Sequence, residues 1–166
     1  NDDGEIQENE ALSVFQLDVS FSDIQNLVGI EAFLNLTGLK CEYNQLTSLD
    51  VTQNTSLTYL FLYENQLTSL DVSQNTALDF LECSYNQLII LDVSQNIALK
   101  SLHCSNNQLN SLDVTQNTVL ETLLCYQNQL TSLDVTQNVA LEYIFCSSNQ
   151  LTSLDVSQNI ALKSLD

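Results

Sequence analysis

The sequence predicts an α/β solenoid of seven to eight short coils, with a curved parallel β-sheet on its concave face and an irregular convex side. Three observations predict it. The phrase LTSLDVTQNTSLTYLFLYENQ at residues 46–66 restarts at Leu67, Leu88, Leu109, Leu130 and Leu151, a fixed period of 21 residues. A period in this range marks an array in which each unit buries its apolar face against its neighbours alone. Within each unit the apolar residues keep one spacing, which in the first reads Leu57-x-x-Leu60-x-Leu62-x-x-Asn65-x-Leu67. Proline is absent and only three glycines occur, so turns fall to Asn, Asp, Ser and Thr, whose short side chains bond nearby backbone.

That spacing resembles the leucine-rich-repeat pattern and recurs in every copy. Two regions follow. Residues 14–166 form the repeat domain, with a first period of 22 residues tightening to 21, seven full strand segments and an eighth that stops at Asp166. A solenoid is not expected to end on an open apolar face, so the chain is expected to continue beyond 166 or to be capped there. Residues 1–13, NDDGEIQENEALS, read as a short helical cap. Asn1, Asp3, Gly4, Ile6 and Glu10 fit positions of an EF-hand calcium loop that lacks its first ligand, with Asn1, Asp3, Glu5 and Glu10 as candidate calcium ligands. The alternative is an acidic turn and helix that covers the first coil. No cofactor is required; a structural calcium at the cap is the one candidate.

Charge excludes some partners. Three Lys and no Arg stand against 21 acidic residues, a net charge of −18. Nucleic acid needs a basic stripe, and none exists. No apolar run is long enough to span a bilayer. The first residue, Asn1, follows no basic leader, so an export signal is expected to be absent or already removed.

Parallel strands lie roughly 4.8 Å apart, so residues one period apart form columns. The columns from Leu49 to Leu154 and from Val51 to Val156 read as core. Asn44 to Asn149 and Asn54 to Asn159 read as two corner ladders, since an amide both donates to and accepts from backbone. The sequons at Asn35 and Asn54 are discounted accordingly. Cys41, Cys83, Cys104, Cys125 and Cys146 share one column with Leu62 and Val19, the mark of a small apolar slot. Their Cβ vectors run side by side, which disfavours disulfides, and a line of thiols is no tetrahedron for zinc. The column Asp50 to Asp155 reads as outward-facing turn residues.

The positions that vary from coil to coil fall on the exposed strand face. They hold all six tyrosines, Tyr43, Tyr59, Tyr63, Tyr85, Tyr126 and Tyr143, and four of six phenylalanines, among them Phe61, Phe80 and Phe145. The core columns are already filled, so an aromatic patch here marks a binding surface. Glu64, Glu82, His103 and Asn106 complete the candidate ligand face. A glycan would stack on the rings and bond to the polar groups; a protein would bury the same rings as anchors. His103 with Glu82 one coil below resembles a general base and its orienter, with Ser105 two residues along the same strand, but no nucleophile or oxyanion site is evident and an enzyme is not expected.

The repeat LTSLDVSQNTALDFLECSYNQ resembles the short bacterial repeats of the internalin family, and its strand cysteine resembles that family's cysteine-ladder variety. The resemblance covers residues 14–166. It implies a helical, EF-hand-derived cap, a secreted or surface-held bacterial protein, and a concave face that binds host or environmental proteins or glycans. The other expectation is a structural spacer within a larger adhesin, with no ligand of its own.

Overall fold

The computed structural model describes residues 7–166. Eight strands form one parallel sheet in chain order: β1 (Gln16–Asp18), β2 (Gly38–Lys40), β3 (Tyr59–Phe61), β4 (Phe80–Glu82), β5 (Ser101–His103), β6 (Thr122–Leu124), β7 (Tyr143–Phe145) and β8 (Ser164–Leu165). Register follows the repeat without a slip, so Leu39, Leu60, Leu81, Leu102, Leu123 and Ile144 are successive partners. The predicted columns are therefore real columns. Turns join the strands, apart from one 3-10 helix (Ile30–Ala32) in the second coil. The helix α1 (Glu8–Ala11) precedes β1, and Ala11 is buried.

The core is a stack of identical layers. The central strand residues from Leu39 to Ile144, the Val51-to-Val135 column and Leu46 to Leu130 are fully buried. Leu70, Leu91, Leu112 and Leu133 are nearly so. All five cysteines are free thiols in the same stack, and Leu62 stands fully buried where a sixth would fall. Burial pushes the Cys41 and Cys125 thiols up to about 12, and raises those of Cys83, Cys104 and Cys146.

Amides close the two corners. Asn86 Nδ2 donates to Leu62 O at 2.9 Å and to Cys83 O at 3.2 Å, while its Oδ1 accepts the Leu67 N–H at 2.9 Å. The same set recurs at Asn65, Asn107 and Asn128. Each amide thus ties its coil to the preceding one. At the second corner, Asn75 Nδ2 donates to Val51 O at 3.0 Å and Asn54 O at 2.9 Å, and the pattern repeats through Asn159. The aspartate column is exposed, as expected. Asp50 Oδ1 accepts the Thr52 hydroxyl at 2.7 Å and the Thr52 N–H at 3.0 Å, and these bonds hold its carboxyl below the usual range.

The calcium reading falls mostly outside the described residues: Asn1, Asp3 and Glu5 all do. Glu10 is described, and its Oε2 accepts the Gln7 N–H at 3.0 Å, which lowers its carboxyl. This is helix capping across three residues. Among the described residues no helix is long and apolar enough to cross a membrane.

Replacing Asn86 by Ala leaves the Leu67 N–H buried without a partner and the Leu62 carbonyl with the Asn65 amide as its remaining donor, so unfolding free energy falls by about 2 kcal/mol. Urea melts of the variant check this. The thiols set a second expectation: none of the five reacts with a soluble thiol reagent until the protein is denatured, when all five do. Raised native thiol values also make the unfolded chain release protons first as pH rises. Stability is therefore full below about pH 9 and is lost progressively toward pH 12, which melting temperature against pH reads directly.

Candidate functional site

The open face of the sheet carries two runs of packed rings. Along the strands themselves run Tyr59, Phe61, Phe80 and His103, with successive centroids 5.8, 4.9 and 5.0 Å apart. Just past the strand ends run Phe21, Tyr43, Tyr63 and Tyr85, at 4.3, 5.2 and 5.0 Å. Alternation along an extended chain sends residues 59, 61 and 63 to one face while Leu60 and Leu62 enter the core. Tyr43, Tyr85 and Tyr143 are exposed, and Tyr59, Phe61, Tyr63, Phe80, Tyr126 and Phe145 are half-buried. The half-burial comes in part from the rings covering one another.

The first run has a seat. A Cβ at Gly38 would overlap the ring of Tyr59, its neighbour in register, so Tyr59 lies over β2 only because residue 38 has no side chain. Lys40, Tyr59, Phe61, Asp79 and Phe80 line a shallow hollow of about 360 Å³ there, and the Lys40 ammonium stands 5.6 Å from the Phe61 ring centroid.

The second run departs from the sequence reading, which treated residues 43, 64, 85 and 106 as exposed strand positions. They follow the strands in left-handed conformation: Phe21, Tyr43, Glu64, Tyr85, Asn106, Gln127 and Ser148 have φ between 52° and 55°. The corner of each coil demands this turn whatever residue occupies it. Bulky side chains are disfavoured there, by about 1–2 kcal/mol each, and Asn is among the few that tolerate it. Asn106 suits the backbone; Phe21, Tyr43 and Tyr85 do not.

Between the aromatic runs below and Tyr126, Tyr143 and Phe145 above lies a polar gap. His103 Nδ1 and Glu82 Oε2 are 2.9 Å apart, Ser101 Oγ and His103 Nε2 3.1 Å, and Glu82 Oε1 accepts the Ser84 N–H at 2.8 Å. The column relation of Glu82 and His103 was legible in sequence. The hydroxyl was not: Ser101 reaches the imidazole, whereas Ser105 is 1% exposed and its Oγ has no partner. The order Ser–His–Glu matches a nucleophile, base and orienter. The backbone donors beside it are spent, however, since Ser101 N–H bonds Asp79 O and Thr122 N–H bonds Lys100 O. A developing oxyanion would find no free backbone amide at Ser101 or Thr122. Among the described residues no group of acidic, His and Cys side chains is placed to hold a metal ion.

Sequence reasoning thus chose thirteen residues of this face as ligand candidates and left out Phe21, Lys40 and Ser101, which it had also placed there. All three occupy the same variable columns as the others.

Fold and site together define a leucine-rich-repeat protein. Comparison with known proteins gives its kind. No protein-family model matches the chain. Over 50 residues, 30% of this chain and 6% of the relative, it is 45% identical to internalin J of Listeria monocytogenes serotype 4b (strain F2365). The solved functional domain of internalin J from Listeria monocytogenes, which includes a cysteine ladder, aligns with 96% of this chain at 35% identity and a TM-score of 0.58. An internalin (InlF) from the same species aligns with 96% of the chain at 23% identity and a TM-score of 0.89, a likeness of fold. The chain spans 45% and 49% of those two structures. It is an internalin-like, cysteine-ladder repeat by sequence spacing and by fold alike.

Gly38→Ala tests the seat of the first run. The extra methyl displaces the Tyr59 ring and leaves the core columns intact, so the melting temperature stays within a few degrees while the ring-current shifts of Tyr59 and Phe61 change. Unchanged proton shifts for both rings would refute the packing described.

Proposed function

We propose that this domain is an exported or surface-attached bacterial recognition module that holds a protein or glycan ligand on the ring-lined open face of its sheet, without catalysis. One observation carries the reading: the rings occupy the columns that the fold leaves free to vary. The buried columns repeat Leu, Val, Cys and Asn from coil to coil, while the open-face columns change from Tyr to Phe to Ser to Thr. Packing of the core asks nothing of these positions. A rigid sheet holds the rings at fixed separations, so little side-chain freedom remains to be lost on binding. Resemblance to the internalins supports export and surface recognition, and the calcium reading of Asn1, Asp3, Glu5 and Glu10 stays a proposal for the cap.

Binding to a glycan array and to a panel of extracellular proteins tests the proposal, with Tyr59, Phe61 and Tyr63 replaced by Ala in parallel. Half-buried rings at the centre of an interface cost about 2 kcal/mol each on truncation, so the triple variant loses at least about 100-fold in affinity while remaining folded. Adhesion by the parent protein that is indifferent to the triple variant would favour the spacer reading instead.

A further inference from the structure

The second ring run ends at a polar cleft of about 510 Å³, whose walls include Glu64, Tyr85, Gln87 and Asn106. Three features of it concern charge. The Glu64 side chain is exposed and has no hydrogen-bond or ion-pair partner among the described residues. Three other carboxylates of this face are engaged: Asp18 by the Ser20 N–H, Glu42 by the Ser20 hydroxyl, Glu82 by His103 and the Ser84 N–H. At the other end of the cleft, Asn106 Nδ2 is buried and donates to nothing. Between them stands the Tyr63 phenol, which burial first, and then Tyr43, Tyr85 and Glu64, push up to about 12, so it stays neutral and the Glu64 carboxylate alone makes the local field negative. Ring faces add to that field, because aromatic quadrupoles are negative above and below the plane.

An unmet carboxylate and an unmet amide donor, two coils or about 10 Å apart with tyrosine between, ask for a ligand with a cation at one end and an acceptor at the other. An arginine or lysine within a polypeptide has both, a charged tip and its own backbone carbonyl. A neutral sugar offers no charge to answer Glu64, and an anionic one meets repulsion from a chain of net charge −18. Neither ammonium near the rings answers Glu64: Lys40 stands over Phe61 in the other ring run and Lys163 over Tyr143.

We infer that this cleft receives a basic side chain of a protein partner, with the cation between the Glu64 carboxylate and the rings of Tyr63 and Tyr85 and the partner's carbonyl on Asn106. The inference rests on the open face being a recognition surface and names the chemistry of its partner. Cation–π contact and a charge-assisted hydrogen bond supply the attraction. The remaining acidic residues steer such a partner in from a distance.

The test uses an acetylated, amidated peptide of alternating Gly and Arg, and the same peptide with citrulline, which keeps the shape and removes the charge. Amide NMR shifts of this domain report where each binds. The Arg peptide should move the signals of Glu64, Tyr85 and Asn106, and the citrulline peptide should bind at least about tenfold more weakly. Glu64→Gln should weaken the Arg peptide about fivefold, and Asp113→Asn, in the exposed turn column away from the sheet face, should leave it unchanged. Equal binding of both peptides, or equal weakening by Asp113→Asn, would overturn the inference. A sugar or neutral partner captured through Tyr59 and Phe61, with no response to the Arg peptide, would also overturn it while leaving the recognition surface standing. Silence of the face toward both peptides, the glycan array and the protein panel would remove both.

Discussion

A buried carboxamide at each coil corner sets the terms for the rest of this molecule. Asn86 closes its own turn at Cys83 O, reaches back to Leu62 O and receives the Leu67 N–H. One side chain therefore fixes the height, register and direction of a coil relative to the coil before it. Only an amide does all three, because it alone carries two donors and an acceptor in a neutral group small enough to bury. Once that corner is held, Leu81 must lie beside Leu102 and Cys83 one coil from Cys104, and the columns follow. The interior then repeats four leucines, a valine and a small thiol per layer, as in Leu67, Leu70, Val72, Leu78, Leu81 and Cys83, and stability accumulates coil by coil.

The same corner constrains the binding face. It forces the residue that precedes each Asn into the left-handed region, where Tyr43, Glu64 and Tyr85 gain nothing from the backbone. Asn106 shows that a compatible residue is available to this sequence. Placing aromatics at three of these corners opposes the local preference, and ring packing at 4.3–5.2 Å offsets part of the cost. Local conflict with the backbone, combined with exposure, marks these corners as positions that folding alone does not explain.

Much of this was legible in the sequence because repetition turns a chain into columns. The core leucines, the thiol stack, both amide ladders and the pairing of Glu82 with His103 all follow from the 21-residue period and the alternation of a strand. The rest was hidden for physical reasons. Nothing in the identities of Tyr43 or Glu64 encodes a positive φ; the Asn that follows them imposes it through the coil. Ser101 and Ser105 both stand two residues from His103 on the same face, so parity cannot choose between them, and side-chain rotamer decides. Gly38 was visible as the one glycine in a column of Tyr, Phe, Ser and Thr, but its role needed the position of the Tyr59 ring. Phe21 and Lys40 were in the variable columns and lacked only neighbours to give them meaning.

The central claim is that the open face is dispensable for folding, so that its rings are free to serve recognition. The most direct measurement is the thermal unfolding of a variant in which four rings take residues already present in their own columns: Tyr59→Thr, Phe80→Thr, Tyr63→Ser and Tyr126→Ser. The account predicts a single cooperative transition, lowered by no more than about 1 kcal/mol per ring, because each is half-buried and the core columns are untouched. A broad, non-cooperative melt or an unfolded chain at 25 °C would contradict it, and would make the rings part of the core.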